Sequence, residues 1–288
     1  MFANDLFKQI TKSLENISTE PETEALLILE NIFNITKREL LFNKEVQLTR
    51  ENREELESVL ARREKREPLQ YIFQEQYFFN HKFYVDSRVL IPRPETELLV
   101  EKVIELEKRF TDKNLLIADI GCGSGAIAIS LALSITRAIV YSTDISQDAF
   151  NVAKINSNNL NVPENKLFLI HGDKLEPFRQ EKQKFHIIVS NPPYIPNEQY
   201  IDLEKEVIDY EPKDALLGLD EDGLGFYRYI SQNIQDFILP GGFVCCEFGY
   251  GQADKLADIL KQNKIFYDIQ IIKDYNSIER IVIARVNL

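Results

Sequence analysis

Short apolar runs that alternate with helical stretches after about residue 95 limit most strongly how this chain can fold. Seven runs are β-strand candidates: Leu115–Ile120, Ala138–Thr143, Leu167–His171, His186–Ser190, Phe243–Glu247, Phe266–Ile272 and Arg280–Arg285. Helical segments separate the first five, and the last two lie close enough to pair as an antiparallel unit. This alternation predicts an α/β fold with a doubly wound, mostly parallel seven-stranded sheet that binds ligands at the carboxyl ends of its strands.

The amino-terminal part of the chain, up to about residue 75, follows a helical period instead. Its first apolar residues recur four apart: Leu6, Ile10 and Leu14. Pro21 suits the first turn of a second helix, and Thr36 begins a capping-box sequence for a third. Thr49 is expected to cap a fourth helix over residues 50–67, and Pro68 is expected to end the helical region.

Residues 76–89 alternate aromatic and polar side chains around Asn80-His81, a pattern that is typical of a β-hairpin. The chain is therefore expected to contain three parts in order. They are a small all-helical domain over residues 1–75, a linking hairpin over 76–90 and the α/β domain over 91–288.

Charge and cysteine content exclude several functional classes. Lys and Arg total 34 against 46 Asp and Glu, a net charge of −12, so the chain lacks the basic character of a non-specific DNA-coating protein. The run Arg62–Arg66 contains Glu64 and fits a helix carboxyl end better than a nucleic-acid site. Because Cys122, Cys245 and Cys246 lie in apolar runs, neither a disulfide framework nor a metal site is expected. No apolar stretch reaches the roughly 20 residues of a membrane helix, and we expect a soluble, cytoplasmic protein.

A glycine-rich turn joins the first predicted strand to the helix that follows. It holds the cofactor-binding candidates Gly121, Cys122, Gly123, Ser124 and Gly125. Glycines let the backbone turn sharply and approach a ligand closely. The Gly-x-Gly-x-Gly spacing differs from the Gly-x-Gly-x-x-Gly of dinucleotide-binding proteins.

Acidic residues end the next two predicted strands. Asp144 stands about 20 positions after the glycine turn, where a carboxylate can accept hydrogen bonds from ribose hydroxyls. Ser146 can cap the following helix and so leave that carboxylate free. Asp173 follows the third strand at the same sheet edge, where it can hold an adenine amino group. Together these residues predict an adenosyl ligand, but they do not distinguish a nicotinamide cofactor from S-adenosylmethionine.

The fourth predicted strand runs directly into the tetrapeptide Asn191, Pro192, Pro193 and Tyr194. Two consecutive prolines remove two backbone donors, so this turn presents carbonyl oxygens. Asn191 adds a side-chain carbonyl, and Tyr194 adds a flat aromatic face. Such a pocket accepts hydrogen bonds from a planar NH₂ group and stacks on its plane. We therefore interpret the tetrapeptide as the catalytic element, with Asn191 also bordering the cofactor.

At this point the chain resembles a known family. Gly121–Gly125, Asp144 and Asn191–Tyr194 look like the class I S-adenosylmethionine-dependent methyltransferases that act on planar nitrogen. Further segments resemble the peptide chain release factor N(5)-glutamine methyltransferases: Pro68–Ile72, Leu90–Glu97, Glu211-Pro212, Ala215-Leu216, Asp222–Leu224 and Glu279-Arg280. The resemblance covers nearly the whole chain. Ribosomal-protein glutamine methyltransferases share the Asn-Pro-Pro-Tyr element, but Pro92–Glu97 suits the release factor branch better.

The resemblance implies a reaction. A methyl group passes from S-adenosylmethionine to the side-chain amide nitrogen of the glutamine in the Gly-Gly-Gln motif of class I release factors, leaving S-adenosylhomocysteine. Asn191 and the Pro192 carbonyl would accept the two amide protons and Tyr194 would stack on the amide, so that catalysis rests on positioning and electrostatics. The helical domain would grip the release factor, and direct contact with nucleic acid or membrane is not expected. Lys174, next to Asp173, is assigned no contact.

Other functions stay open from the residues alone. The same pocket suits a ribosomal-protein glutamine or the exocyclic amine of a flipped nucleic-acid base, although the net charge and the lack of a target-recognition segment oppose the latter. A binding module that keeps the cofactor fold without turnover is a third hypothesis, opposed by the intact glycine turn and tetrapeptide. A nicotinamide dehydrogenase is disfavoured by the glycine spacing and by the lack of an evident hydride-transfer acid or base.

Overall fold

A computed structural model describes all residues from Met1 to Leu288. The chain divides into two compact units. We call Met1–Gln74 together with Glu204–Tyr210 the helical unit, and Glu75–Leu203 together with Glu211–Leu288 the sheet unit. No helix in the structure combines the length and the apolar composition that a membrane span requires.

The helical unit consists of six α-helices and contains one apolar cluster. They are α1 (Ala3–Leu14), α2 (Pro21–Phe33), α3 (Lys37–Leu41), α4 (Arg50–Glu64), α5 (Leu69–Phe73) and α9 (Lys205–Tyr210). The side chains predicted to form the apolar face of α1 are buried in this cluster: Leu6, Ile10 and Leu14. Thr36 and Glu39 form the expected capping box, and Thr49 accepts a hydrogen bond from the Asn52 backbone at 3.2 Å.

Two expectations about the end of this region are wrong. The fourth helix ends at Glu64 rather than at residue 67, and Arg66 adopts a left-handed φ of 68° that no α-helix continues through. Pro68 does not end the helical region, because it directly precedes α5. Proline is tolerated at the start of a helix, where its missing N–H has no intrahelical partner.

A buried arginine attaches α9 to the other helices of the unit. Arg63 is 2% exposed and lies 2.9 Å from Glu24 and 2.7 Å from Glu206. Tyr210 donates a hydrogen bond to the Lys65 carbonyl at 2.9 Å. Two carboxylates around one buried guanidinium supply the partners that such a charge requires, so a segment distant in sequence completes the helical unit. Its neighbour Arg62 pairs with Glu67.

The sheet unit is built on seven strands in the order β5-β4-β3-β6-β7-β9-β8. They are β3 (Leu115–Ile120), β4 (Ala138–Asp144), β5 (Leu167–His171), β6 (Phe185–Ser190), β7 (Ile238–Glu247), β8 (Phe266–Lys273) and β9 (Glu279–Val286). The first five strands in spatial order pair in parallel, and β9 pairs antiparallel with both β7 and β8. The predicted doubly wound α/β fold is confirmed. Strand β7 begins five residues before its predicted start because it continues through Pro240, Gly241 and Gly242, which signal a turn in the sequence.

Helices cover both faces of this sheet. They are α6 (Pro94–Glu107), α7 (Ala126–Ser134), α8 (Gln147–Asn159), α10 (Gly225–Asn233) and α11 (Ala253–Gln262). Along β6, Ile187 and Val189 belong to one apolar cluster, and Ile188 between them belongs to a second. Alternate residues of a strand point to opposite faces, so the continuous apolar run of β6 reflects burial on both sides.

The predicted hairpin is present as β1 (Gln76–Phe78) and β2 (His81–Phe83). Its two-residue turn is Phe79-Asn80, one position earlier than expected, and both residues have positive φ. Phe78 and Phe83 are buried in one of the sheet clusters. The hairpin therefore packs as part of the sheet unit.

Candidate active site

A cavity of about 790 Å³ opens where β3, β4 and β6 end. The carboxyl ends of parallel strands on either side of a switch in strand order form the usual ligand crevice of such sheets. Most of the residues predicted for the site line this cavity: Gly121, Cys122, Gly123, Ser124, Asp144, Asp173, Asn191, Pro192 and Pro193. Gly125 and Tyr194 are not among the lining residues.

The three glycines of the turn have different roles. Gly121 and Gly123 have φ of 80° and 51°, and a Cβ on either would meet no atom within 4 Å. Their missing side chains therefore leave free space beside the backbone. Gly125, with φ of 83°, precedes α7, and a Cβ there would lie 2.9 Å from Ile129 and 3.2 Å from Ala153. Gly125 is thus required for close packing beneath the turn.

Asp144 supports the glycine turn directly. One carboxylate oxygen accepts a hydrogen bond from the Gly123 backbone N–H and the other from the Ser146 N–H, each at 2.9 Å. Ser146 caps α8 through a hydrogen bond from the Ala149 N–H at 3.2 Å. Asp144 is therefore not free, although each oxygen keeps a lone pair for a further donor.

Asp173 and Lys174 form an ion pair at the edge of the cavity. The Lys174 ammonium lies 2.7 and 2.9 Å from the two Asp173 carboxylate oxygens, and both residues line the cavity. Sequence reasoning assigned no contact to Lys174. A ligand amine that uses Asp173 must share this carboxylate with the ammonium group.

The Asn191 amide belongs to a chain of hydrogen bonds that leads away from the cavity. Its Nδ2 donates to Thr96 Oγ1 at 3.0 Å, and Thr96 Oγ1 donates to Glu247 Oε2 at 2.6 Å. The Tyr194 hydroxyl donates to the other Glu247 oxygen at 3.3 Å. One carboxyl group therefore connects both polar side chains of the tetrapeptide.

Glu247 is 2% exposed. Loss of hydration on burial raises the pKa of its carboxyl group to about 7, although hydrogen bonds from Thr96 and Tyr194 favour the charged form. Burial also raises the pKa of the Tyr194 hydroxyl, with the Glu247 charge acting in the same direction. Tyr194 is therefore a neutral donor to Glu247 at ordinary pH.

Asp119 is a second buried carboxyl group near the turn. It is fully buried on β3 and accepts a hydrogen bond from the Ser142 hydroxyl at 2.8 Å. Burial raises the pKa of Asp119 to about 7, and the charge of Asp144 adds to this increase.

Two amide side chains hold the loops around the cavity. Asn156 donates to the Ser124 and Tyr84 carbonyls at 2.8 and 2.9 Å and accepts from the Tyr84 N–H at 2.6 Å. Gln252 donates to the Tyr194 carbonyl at 2.9 Å and to the Asp222 carbonyl at 3.1 Å. Each therefore joins two segments that are distant in sequence.

Several of these residues were not assigned a site role from the sequence, among them Thr96, Asn156, Glu247 and Gln252. Thr96 lies within Pro92–Glu97, a segment that carries the family resemblance, and Glu247 ends a predicted strand. These sequence contexts are the only local signals that could have indicated a site role for Thr96 and Glu247. No local pattern marks Asn156 or Gln252, because each is identified only by the loops that it bridges.

Comparisons with known proteins find relatives that match most of the chain. Residues 5–73 match the family model described as the PrmC N-terminal domain, and residues 94–216 match the model described as the methyltransferase small domain. The release factor glutamine methyltransferase of Bacillus cereus is 36% identical over 266 residues, which cover 92% of this chain and 93% of that protein. The enzyme of the same name from Thermodesulfovibrio yellowstonii is 38% identical over 262 residues, covering 91% of each chain.

Among solved structures, the catalytic domain of hMettl16, in complex with MAT2A 3′UTR hairpin 6, aligns with a TM-score of 0.57. The alignment covers 84% of each chain at 14% sequence identity, a level that reports on the fold alone. The relatives from Bacillus cereus and Thermodesulfovibrio yellowstonii instead match 92% and 91% of this chain at more than 35% identity. This chain therefore belongs to the release factor glutamine methyltransferase family.

Proposed function

We propose that this protein transfers a methyl group from S-adenosylmethionine to the side-chain amide nitrogen of the glutamine in the Gly-Gly-Gln motif of class I release factors. The observation that carries this proposal is the orientation of the Asn191 side-chain amide. Its amide nitrogen is bound to Thr96, so its carbonyl oxygen is the end left to accept a hydrogen bond from a substrate. Membership of the family supports the choice of substrate.

A glutamine amide is a weak nucleophile because its nitrogen lone pair is delocalised into the carbonyl group. The Asn191 oxygen and the Pro192 carbonyl would accept the two amide protons and hold the nitrogen in one orientation. Positive charge develops on that nitrogen as it is methylated, and fixed oxygen dipoles stabilise this charge more than the neutral starting amide. Pro192 and Pro193 have no N–H groups, so the turn does not compete with the substrate as a donor.

Tyr194 would contribute its ring to the amide-binding pocket when the substrate is bound. It is half-buried, and its hydroxyl is held by Glu247. An aromatic face beside a planar amide restricts rotation of the amide, which is the positioning that this reaction requires.

The residues around the glycine turn fit the methyl donor. Gly121 and Gly123 leave open space that a Cβ would fill, and Asp144 keeps acceptor capacity for ribose hydroxyls. Asp173 would accept from the adenine amino group, while Cys122, Ser124 and Asn191 would complete the wall. When bound, S-adenosylmethionine supplies a methyl group on a positively charged sulfur.

The remaining assignments concern partners and location. The helical unit would recognise the body of the release factor. Residues 5–73 match the PrmC N-terminal domain, and this match supports a role specific to the family. We propose that the enzyme acts in the cytoplasm and makes no direct contact with nucleic acid. The net charge of −12 supports the second point.

The test uses purified protein, S-adenosylmethionine labelled in its methyl group, and a class I release factor. A matched release factor carries another residue in place of the Gly-Gly-Gln glutamine. We expect label only in the unaltered factor, and about 100-fold slower labelling of that factor with the Asn191→Ala variant. Label in ribosomal protein or in RNA, with none in the release factor, would overturn the proposed substrate.

A further inference from the structure

We infer that Glu247, acting through the Thr96 hydroxyl, determines which end of the Asn191 amide faces the substrate. Thr96 and Glu247 are thus positioning residues for the reaction. The inference rests on the proposed function, since it assigns Asn191 the role of accepting a proton from the substrate amide.

The first step of the argument is the direction of the short hydrogen bond. Thr96 Oγ1 lies 2.6 Å from Glu247 Oε2, a separation typical of a hydroxyl bound to a charged carboxylate. A carboxylate can only accept. The single hydrogen of the Thr96 hydroxyl is therefore directed at Glu247, and only its lone pairs are available to Asn191.

The second step follows from the chemistry of an amide. Thr96 Oγ1 lies 3.0 Å from Asn191 Nδ2, and of the two ends of the amide only this nitrogen can donate to a lone pair. The opposite rotamer would place the Asn191 oxygen against the Thr96 lone pairs and would turn two N–H groups towards the substrate. A glutamine amide that must be held through its own N–H groups would then meet donors instead of acceptors.

Glu247 is itself held at several points. The Tyr194 hydroxyl binds its second oxygen at 3.3 Å, and the Tyr227 hydroxyl donates to its backbone carbonyl at 2.5 Å. The charged groups that act on its carboxyl group are Arg280, which favours the ionised form, and Glu95, which opposes it. Because Glu247 is held in this way, its carboxylate accepts the Thr96 hydrogen from a fixed position.

Glu247 does not act as a base on the substrate in this arrangement. Thr96 lines the cavity, and Glu247 is not among the lining residues. The Thr96 hydroxyl lies between the carboxylate and Asn191 in the chain of hydrogen bonds. Any effect of the carboxylate on catalysis therefore passes through the orientation of the Asn191 amide.

The test compares Thr96→Val with Thr96→Ser in the full-length protein. Valine keeps the shape of threonine and removes the hydroxyl, whereas serine keeps the hydroxyl. We expect Thr96→Val to lower kcat for release factor methylation about 100-fold, the usual effect of a misplaced reacting group. Thr96→Ser should retain kcat within about threefold.

The Kd for S-adenosylmethionine, measured by calorimetry, should change less than about threefold in both variants. Normal kcat in Thr96→Val, or an equal loss in both variants, would overturn the inference.

A second variant tests the direction of the hydrogen bonds. Glu247→Gln gives the side chain a donor, which frees the Thr96 hydrogen for Asn191 Oδ1. We expect kcat of the unaltered protein to rise with pH as Glu247 ionises, and this rise to be absent from Glu247→Gln. A pH profile of the same shape in both proteins would contradict the role of the carboxylate.

A third measurement does not depend on turnover. In nitrogen-15 NMR spectra of the protein without substrate, the Asn191 side-chain NH₂ signals, identified by their loss in Asn191→Asp, should exchange slowly with water. Exchange should stay slow in Thr96→Ser and become fast in Thr96→Val. If the unaltered protein does not methylate release factor, the proposed function fails, and this exchange measurement still decides whether Thr96 holds the amide. Equal exchange in all three proteins would overturn the inference.

Discussion

The carbonyl oxygen of Tyr194 lies 2.1 Å from the point where a Cβ would stand on Gly223. No side chain fits in this space, and Gly223 also has a φ of 74°, which residues with a Cβ rarely adopt. The Asp222–Leu224 segment therefore approaches the tetrapeptide closely through its glycine. Gln252 binds the same Tyr194 carbonyl at 2.9 Å, so both contacts fix the end of the Asn191–Tyr194 turn.

We expect Gly223→Ala to lower turnover by at least 10-fold while S-adenosylmethionine still binds. The new methyl group must displace the Tyr194 carbonyl and thereby break its hydrogen bond to Gln252. Steady-state kinetics and calorimetry measure the two effects. Gly251→Ala is a matched control, because Gly251 has a φ of 78° and a Cβ there would meet no atom within 4 Å. Equal losses of activity in both variants would show that backbone strain alone, and not the clash, is responsible.

Asn191→Ala should reduce turnover by about 100-fold or more, since it removes the side-chain acceptor proposed for the substrate amide. Its thermal unfolding should stay close to that of the unaltered protein, because Asn191 forms one side-chain hydrogen bond, to Thr96. The exposed Asn165 provides a control substitution to alanine. Near-normal turnover of Asn191→Ala would rule out the catalytic assignment.

Asp144→Ala should weaken binding of S-adenosylmethionine by roughly 1–3 kcal/mol, the effect of removing a charged hydrogen-bond acceptor. The carboxylate also binds the Gly123 N–H, so its loss loosens the turn in addition to removing a ribose partner. Calorimetry measures the change. Asp148→Ala removes the same charge from an exposed position four residues further along the chain, and should leave affinity unchanged. An unaltered Kd in Asp144→Ala would exclude the ribose assignment.

The sequence predicted those parts of the fold that local patterns specify. The bounds of β3 and β5 agree with the predicted strands, because apolar runs end there at a glycine or at polar residues. The end of α4 was missed because charged residues 62–67 have good helix propensity. In the structure Arg66 is left-handed, and its guanidinium donates to the Ile17 carbonyl, a partner that no local pattern reveals.

For the site, the sequence predicted residues that form compact motifs and missed those that support them. Asn191 is evident from its tetrapeptide, whereas Thr96 and Glu247 are 151 positions apart and meet only in the folded chain. Similarly, nothing in residues 204–210 signals that they join the helical unit. That contact depends on Arg63, a buried charge whose partners lie in two distant segments.

Asp119 should give the protein a measurable dependence of stability on pH. Burial raises its pKa to about 7, so the folded state holds this proton more tightly than the unfolded chain. The resulting stabilisation is present at low pH and is lost as the pH rises from about 4 to 7, by at most about 1.4 kcal/mol per unit. Asp119→Asn keeps an acceptor for the Ser142 hydroxyl and cannot ionise, so relative to the unaltered protein it should become more stable as the pH rises through this range. Urea unfolding at several pH values tests this expectation.

Glu247 contributes to the pH dependence with the same sign in both proteins, so its contribution cancels from the comparison. The exposed Asp148→Asn provides a control whose curve of unfolding free energy against pH should run parallel to that of the unaltered protein. A parallel curve for Asp119→Asn as well would show that Asp119 is not protonated in the folded state within this range.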